Sequence, residues 1–255
     1  MGIVNLTADS FSGDGHARDV ERAVAHGLRL VEEGADLLDL GAESSRPGAT
    51  PVSVAEELDR LLPVLEALRP CGVPLSVDTV KPAVMRAACA GGAAMINDIR
   101  ALQAPDAMEA VASSTAAVCL MHMQGDPATM QQAPRYEDVV QEVIDYLARR
   151  LEAALAAGIA RERLVVDPGF GFGKTLEHNL ALLRHLDRFK VLGVPLLVGL
   201  SRKSMLGAIT GRPVGERLHA SVAAALLAAE RGAAILRVHD VAATRDALLL
   251  WQAIA

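Results

Sequence analysis

Asp78, Asn97, Asp167 and Lys203 each close a short apolar run, in SVDT (76–79), INDI (96–99), LVVD (164–167) and GLSRKS (199–204). Burying a polar or charged group without a partner is costly. Four such groups at the ends of apolar segments therefore point to a ligand. Two carboxylates and an amide suit a ligand edge rich in ring N–H and amino groups. One Asp can accept two parallel N–H bonds from a 2-amino heterocycle. Lys203 complements a carbonyl or ring nitrogen on the opposite edge. The competing reading of Asp78 and Asp167 is a metal-binding acid pair.

A second group carries phosphate chemistry. Arg46 lies in SSRPG beside Ser44 and Ser45, and Arg237 and His239 alternate in RVHD, so both point to one face of a strand. Arg binds phosphate in a bidentate fashion and His adds a donor. Asn5 offers a neutral carbonyl oxygen of the kind Mg²⁺ accepts beside substrate phosphates. Each signal alone is weak, and a surface ion pair is the ordinary role for a lone Arg237. Their convergence on one face favours an anion site.

DPGFGFGKT (167–175) invites a P-loop reading, but Pro168 stands where that pattern requires glycine. The glycines instead let a loop pass close to a flat ligand, with Phe172 as a stacking surface. Met121 supplies apolar wall. Nothing near His122 in sequence forms a triad, so His122 is read as structural.

The elements that must position these residues are eight apolar segments: 2–7, 36–41, 74–79, 94–99, 117–122, 163–169, 195–201 and 235–240. They recur about every 33 residues, one strand–helix unit each. Helical patterns lie between them at 18–33, 53–68, 82–90, 105–113, 137–157, 176–187, 214–231 and 241–253. The first places Val20, Ala23, Val24, Gly27, Leu28 and Val31 on one stripe; the second opens with Ser53 and Glu56–Glu57 as a capping box. Strict alternation implies a parallel sheet with right-handed crossovers. Eight units favour an α/β fold of the (β/α)8 TIM-barrel type, one domain over 1–255, with its site at the carboxyl ends of the strands. Three long polar connections, 8–17, 42–51 and 123–135, leave those ends. The first two read as lids; for the third, a lid and a surface insertion stand level.

Composition narrows the class. With 51% hydrophobic residues but only 3% aromatic, the core must be aliphatic. A net charge of −6 argues against a general nucleic-acid or acidic-membrane binder. Cys71, Cys89 and Cys119 show neither paired nor metal spacing, as expected of a reducing compartment. The most apolar helical stretch (220–229) is about half of the ~20 residues that span a bilayer. A cytoplasmic protein is expected.

Taken together, MGIVNLTADSFSGDG (1–15), LDLGAESSRPGA (38–49), SVDT, INDI, LMHMQGDPATMQ (120–131), DPGFGFGKT, GLSRKS and RVHDV (237–241) resemble the dihydropteroate synthase family of folate biosynthesis. The resemblance covers nearly the whole chain in order. It implies condensation of a methylene-pterin diphosphate with p-aminobenzoate, by C–O cleavage ahead of amine attack, to give dihydropteroate and pyrophosphate. It also implies roles. Asp78, Asn97, Asp167 and Lys203 match the residues that hold the pterin, with Ile99, Met121 and Gly199 lining its slot. Asn5 matches the Mg²⁺ contact. Ser45, Arg46, Arg237 and His239 match the diphosphate cradle, and Phe11, Pro47, Phe172 and Ser201 the p-aminobenzoate site. Asp78, Asp167, Lys203 and Arg237 are the residues expected to serve the reaction itself, with Asp39 in support. A homodimer follows from the resemblance alone.

The chain departs from the family pattern at four points. Ala8 replaces Pro, FSGDG replaces FSDGG and shifts the acid to Asp14, and Ser45 replaces Thr. Four residues precede Asn5, so a less covered barrel floor is expected. Two rivals have different requirements. A methyltetrahydrofolate methyltransferase would share the barrel but needs no diphosphate cradle. A catalytically silent pterin binder would differ in the loops.

Overall fold

The computed structural model describes residues 1–6, 16–44, 51–127 and 129–254, with the backbone alone for 16–18. Six strands, β1 (Gly2–Asn5), β2 (Leu38–Gly41), β3 (Leu75–Asp78), β4 (Met95–Asp98), β5 (Ala117–Met121) and β6 (Leu164–Asp167), pair in parallel in chain order. Two more, β7 (Leu197–Val198) and β8 (Ile235–Leu236), pair with each other. Bridges Val166–Leu196 and Gly2–Val238 join that pair to β6 and β1, so the ring closes. Val238 donates to the Met1 carbonyl at 2.9 Å and accepts from Ile3 at 3.1 Å across the last seam. This is the eight-stranded barrel that the alternation predicts.

Period-two alternation sorts each strand into two faces. Leu38, Leu40, Leu75, Val77, Ile96, Val118, Leu120, Leu164 and Val166 join the layer under the helices. Each such side chain contributes about 1.5–3 kcal/mol through burial. The intervening residues point into the barrel. Low in it, Met95, Cys119, Val165 and Leu197 pack with Met1, Leu37, Ala117 and Ile235 as an apolar plug. Higher, the same faces carry Asp39, Asp78, Asn97, Met121, Asp167 and Arg237. One alternation thus sets both the plug and the polar rim.

Helices α1 (His16–Glu32), α2 (Val54–Leu68), α3 (Pro82–Ala90), α4 (Ala107–Ala112), α5 (Val139–Ala156), α6 (Leu176–Arg184), α7 (Ser204–Thr210), α8 (Leu218–Glu230) and α9 (Val241–Ile254) form the outer layer. Two details depart from the sequence pattern. In α1, Leu30 is buried while Leu28 is 42% exposed. Gly27 brings α1 against α2, where an added Cβ would stand 2.9 Å from Leu68; the buried stripe follows that contact. Helix α7 was not legible in the sequence, because SMLGAIT is two turns long and carries glycine and β-branched residues of low helix propensity. Among the described residues of the third long connection and its exit, Gln124 clips Arg135 at 3.0 and 3.2 Å, and Tyr136 donates to the Gly173 carbonyl.

Candidate active site

The acids of β2 and β3 meet the cation that follows β8 inside the rim. Arg237 donates from Nε to Oδ2 of Asp39 at 2.6 Å and from Nη2 to Oδ2 of Asp78 at 3.2 Å. Asn97 reaches the same Asp39 oxygen at 3.4 Å. Gly41 pairs in register with Asp78. Burial, with Asp39, Asp98 and Glu57 adding repulsion, outweighs Arg237 and lifts the Asp78 pKa to about 7. Burial opposes the charge on Arg237, but Asp39 and Asp78 outweigh it and hold its pKa above the ordinary value. Arg237, grouped in the sequence with the phosphate-binding residues, thus also touches the acid slot through Asp39 and Asp78.

Asp167 ends β6 opposite Met121 in register. Its Oδ1 accepts the Gly169 N–H at 2.7 Å. Burial raises its pKa, against the charge of Lys203 and that hydrogen bond. The glycine loop after it is held tightly. Lys174, 3% exposed, donates from Nζ to the carbonyls of Gly169 and Phe172 and to Nδ1 of His122, each at 2.9 Å. Gly169 has φ +70°, and an added Cβ would lie 1.9 Å from the His122 carbonyl oxygen. Gly173 has φ +61°, with the Gln124 carbonyl 2.5 Å from such a Cβ. Only glycine fits either place. His122 serves as an acceptor for Lys174 and packs edge-on to Tyr146, and burial keeps it neutral.

Lys203 follows β7, donates to the Phe170 carbonyl, and lies 4.5 Å from the centroid of the Phe172 ring. Burial lowers its pKa to about 8, with Asp167 opposing. Phe172 thus faces the rim through Lys203. A Cβ added at Gly199 would stand 3.8 Å from Arg237 Cβ. Ile99 and Met121 are buried apolar walls. Ser201 accepts the His239 N–H at 3.2 Å and contacts its Nδ1 at 3.0 Å, so it orients His239. Asn5 is exposed at the end of β1 and shares with His239 a cavity of about 470 Å³. In that cavity Arg202 is paired bidentately with Asp240, and Arg29 with His26 and Glu33. Phe11, Ser45, Arg46 and Pro47 lie outside the described residues. Among the described residues no three His, Cys, Asp or Glu side chains cluster as a metal site.

The rim thus sets three carboxylates and an amide against two cations, around a slot walled by apolar side chains. Such a slot favours a flat, donor-rich ring and stabilises positive charge on it. The chain matches the pterin binding enzyme family over residues 1–239.

This chain belongs to the pterin-binding enzyme family.

Within that family it is 51% identical to dihydropteroate synthase of Haemophilus influenzae, over 100% of this chain and 93% of the relative. Its fold superimposes on Xanthomonas albilineans dihydropteroate synthase with 4-aminobenzoic acid at a TM-score of 0.94. Identity there is 59%, over 100% of this chain and 92% of that one. The same X. albilineans enzyme in complex with 7,8-dihydropteroate gives 0.89 and 55%, over 100% and 91%.

Sequence reasoning gave too little weight to several residues in and behind this rim. Lys174 was visible in GFGKT, but that segment was read for its glycines and Phe172, and the lysine was given no role. Asp39 was read as a minor support, whereas it holds both Arg237 and Asn97. Glu57 was read as part of a helix cap. The cap belongs to Ser53 and Glu56, and Glu57 is 1% exposed against Lys81.

Proposed function

We infer that this chain is a transferase that catalyses the dihydropteroate synthase reaction. It condenses 6-hydroxymethyl-7,8-dihydropterin diphosphate with p-aminobenzoate to give 7,8-dihydropteroate and pyrophosphate. The carrying observation is the buried rim of Asp39, Asp78, Asn97 and Asp167 with Lys203 and Arg237. Relatives of 51–59% identity over the full chain, with 4-aminobenzoic acid or 7,8-dihydropteroate bound in solved structures, support the same reading.

In this reading Asp167 and Asn97 accept and donate along the amino edge of the pterin, and Lys203 donates to its carbonyl edge. Ile99, Met121 and Gly199 leave room for the flat ring. The bond from the methylene carbon to the diphosphate oxygen breaks, and the electron pair leaves with pyrophosphate. Asp78 and Asp167 stabilise the ring cation that remains. The amine nitrogen of p-aminobenzoate forms the new bond to the methylene carbon and loses one proton to solvent. Arg237 and His239, with Ser45 and Arg46, receive the leaving diphosphate. Phe11, Pro47, Phe172 and Ser201 shape the amine site.

The donor set fits Mg²⁺. Asn5 would hold the ion through its exposed amide oxygen, in the cavity it shares with His239, together with substrate diphosphate and water. Bound there, Mg²⁺ would neutralise the departing diphosphate. The exposed Leu227, Leu249 and Leu250 support a homodimer through the last two helices. No helix among the described residues is long and apolar enough to cross a membrane; with the reducing cysteine pattern, this supports a cytoplasmic site of action.

Pyrophosphate release from pterin diphosphate, p-aminobenzoate and Mg²⁺ tests the reading. Turnover inhibited competitively by sulfonamides is expected. Intact pterin binding without turnover would overturn it in favour of a silent binder.

A further inference from the structure

Five consecutive carbonyls of the glycine loop after β6 are each held by a side chain. Lys174 Nζ donates to those of Gly169 and Phe172 at 2.9 Å, Gln131 Nε2 to that of Gly171 at 2.5 Å, and Tyr136 Oη to that of Gly173 at 2.8 Å. Lys203 Nζ holds that of Phe170. Lys174 is buried, with His122 Nδ1 as its third acceptor at 2.9 Å. Three acceptors match the three donors of an ammonium group. Gly169 is gripped from both ends: Lys174 takes its carbonyl, while its N–H donates to Asp167 Oδ1 at 2.7 Å. A single residue thus connects the buried lysine to a carboxylate of the rim.

We propose that Lys174 is a positioning residue for pterin binding: it fixes Gly169, whose N–H sets the direction of the Asp167 carboxylate toward the ring. The inference rests on the reading above for the ring that Asp167 holds. Anchoring the loop for stability alone does not call for an ammonium. Burial pushes the Lys174 pKa well below its ordinary value. A methionine of similar length would fill the space without burying a charge. Neutral donors, Tyr136 and Gln131, already satisfy neighbouring carbonyls of the same loop. What the ammonium adds is reach to three acceptors at once, which locks Gly169 and Phe172 to His122, the residue after β5. Positioning explains why that cost is kept: small displacements of binding groups weaken binding and rate steeply.

The test is calorimetric titration with 6-hydroxymethylpterin of wild type, Lys174→Met, Tyr136→Phe, Asp167→Asn and the double variant Lys174→Met/Asp167→Asn. Lys174→Met should weaken binding about tenfold. In the Asp167→Asn background the same change should cost no more than about twofold, because the lysine acts through that carboxylate. Tyr136→Phe frees the Gly173 carbonyl but leaves Gly169 held, so its affinity should stay within about twofold of wild type. Hydrogen exchange of the Gly169 amide should speed about tenfold in Lys174→Met. Lys174→Gln, with neutral donors on a shorter arm, is read in the same way if Lys174→Met does not fold. Wild-type affinity in a folded Lys174 variant would overturn the proposal. So would losses that add in the double variant, or equal weakening by Tyr136→Phe, since either marks a merely structural role. Absence of pterin binding by wild type would instead sink the ring reading, and Gly169 exchange would still decide whether Lys174 holds the loop.

Discussion

Arg237 and Asp39, 198 residues apart in the chain, meet in a 2.6 Å ion pair inside the barrel. The contact exists because β8 closes back onto β1 beside β2. It sets Arg237 across the acid slot, where the same side chain reaches Asp78. The pair therefore orients a cation at the boundary between the ring-binding slot and the leaving-group side.

Asp39→Asn keeps the shape but removes the charge that Arg237 faces. A charge-assisted bond is weakened, and we expect a loss of about 1–3 kcal/mol in stability with a parallel fall in kcat/KM. Urea titration measures the first. An unchanged midpoint would show that the pair contributes nothing to the fold.

Asp167→Asn leaves one backbone bond to Gly169 intact but mispairs the ligand-facing edge. Pterin affinity should drop by about 1–3 kcal/mol, five- to 150-fold. Calorimetric titration with a pterin would contradict the assignment if affinity held.

The pH profile of kcat/KM should rise through about pH 7 as Asp78 ionises, and fall above about pH 8 as Lys203 loses its proton. Asp78→Asn should remove the acid limb while the alkaline limb persists. An acid limb retained in a variant with measurable activity would assign it to another group.

Stability has its own pH signature from Asp78. Its folded pKa is raised, so between about pH 4 and 7 the folded chain holds a proton that the unfolded chain has lost. Stability contributed by this group accordingly falls as pH rises through that window. Thermal melts should show Asp78→Asn gaining on wild type at pH 8 relative to pH 4; the opposite trend would mean that attraction to Arg237 outweighs burial.

Two left-handed glycines separate steric from conformational cost. Gly211→Ala meets nothing within 4 Å at φ +71° and should cost about 1–2 kcal/mol. Gly169→Ala drives a methyl into the His122 carbonyl and should cost clearly more. Equal melting temperatures for the two variants would show that the glycine loop yields freely.

Much of this protein was legible without coordinates. Polar residues closing apolar runs gave the strand ends, the strand–helix alternation implied the barrel, and the motif set matched one family. These are local signals: period two, caps, and the cost of burying a bare carboxylate write themselves into adjacent residues. What the tertiary structure decided was pairing across the barrel. Asp39 to Arg237, Lys81 between Glu43 and Glu57, and Lys174 with His122 join residues 24 to 198 positions apart. Strand order, register and closure choose such partners, and no single segment encodes them. The same holds for Asp98, which stands next to Asn97 but turns outward to accept the Arg100 and Leu102 N–H groups at 2.8 Å. Its composition matched the site residues, and only the strand face it occupies kept it out of the barrel.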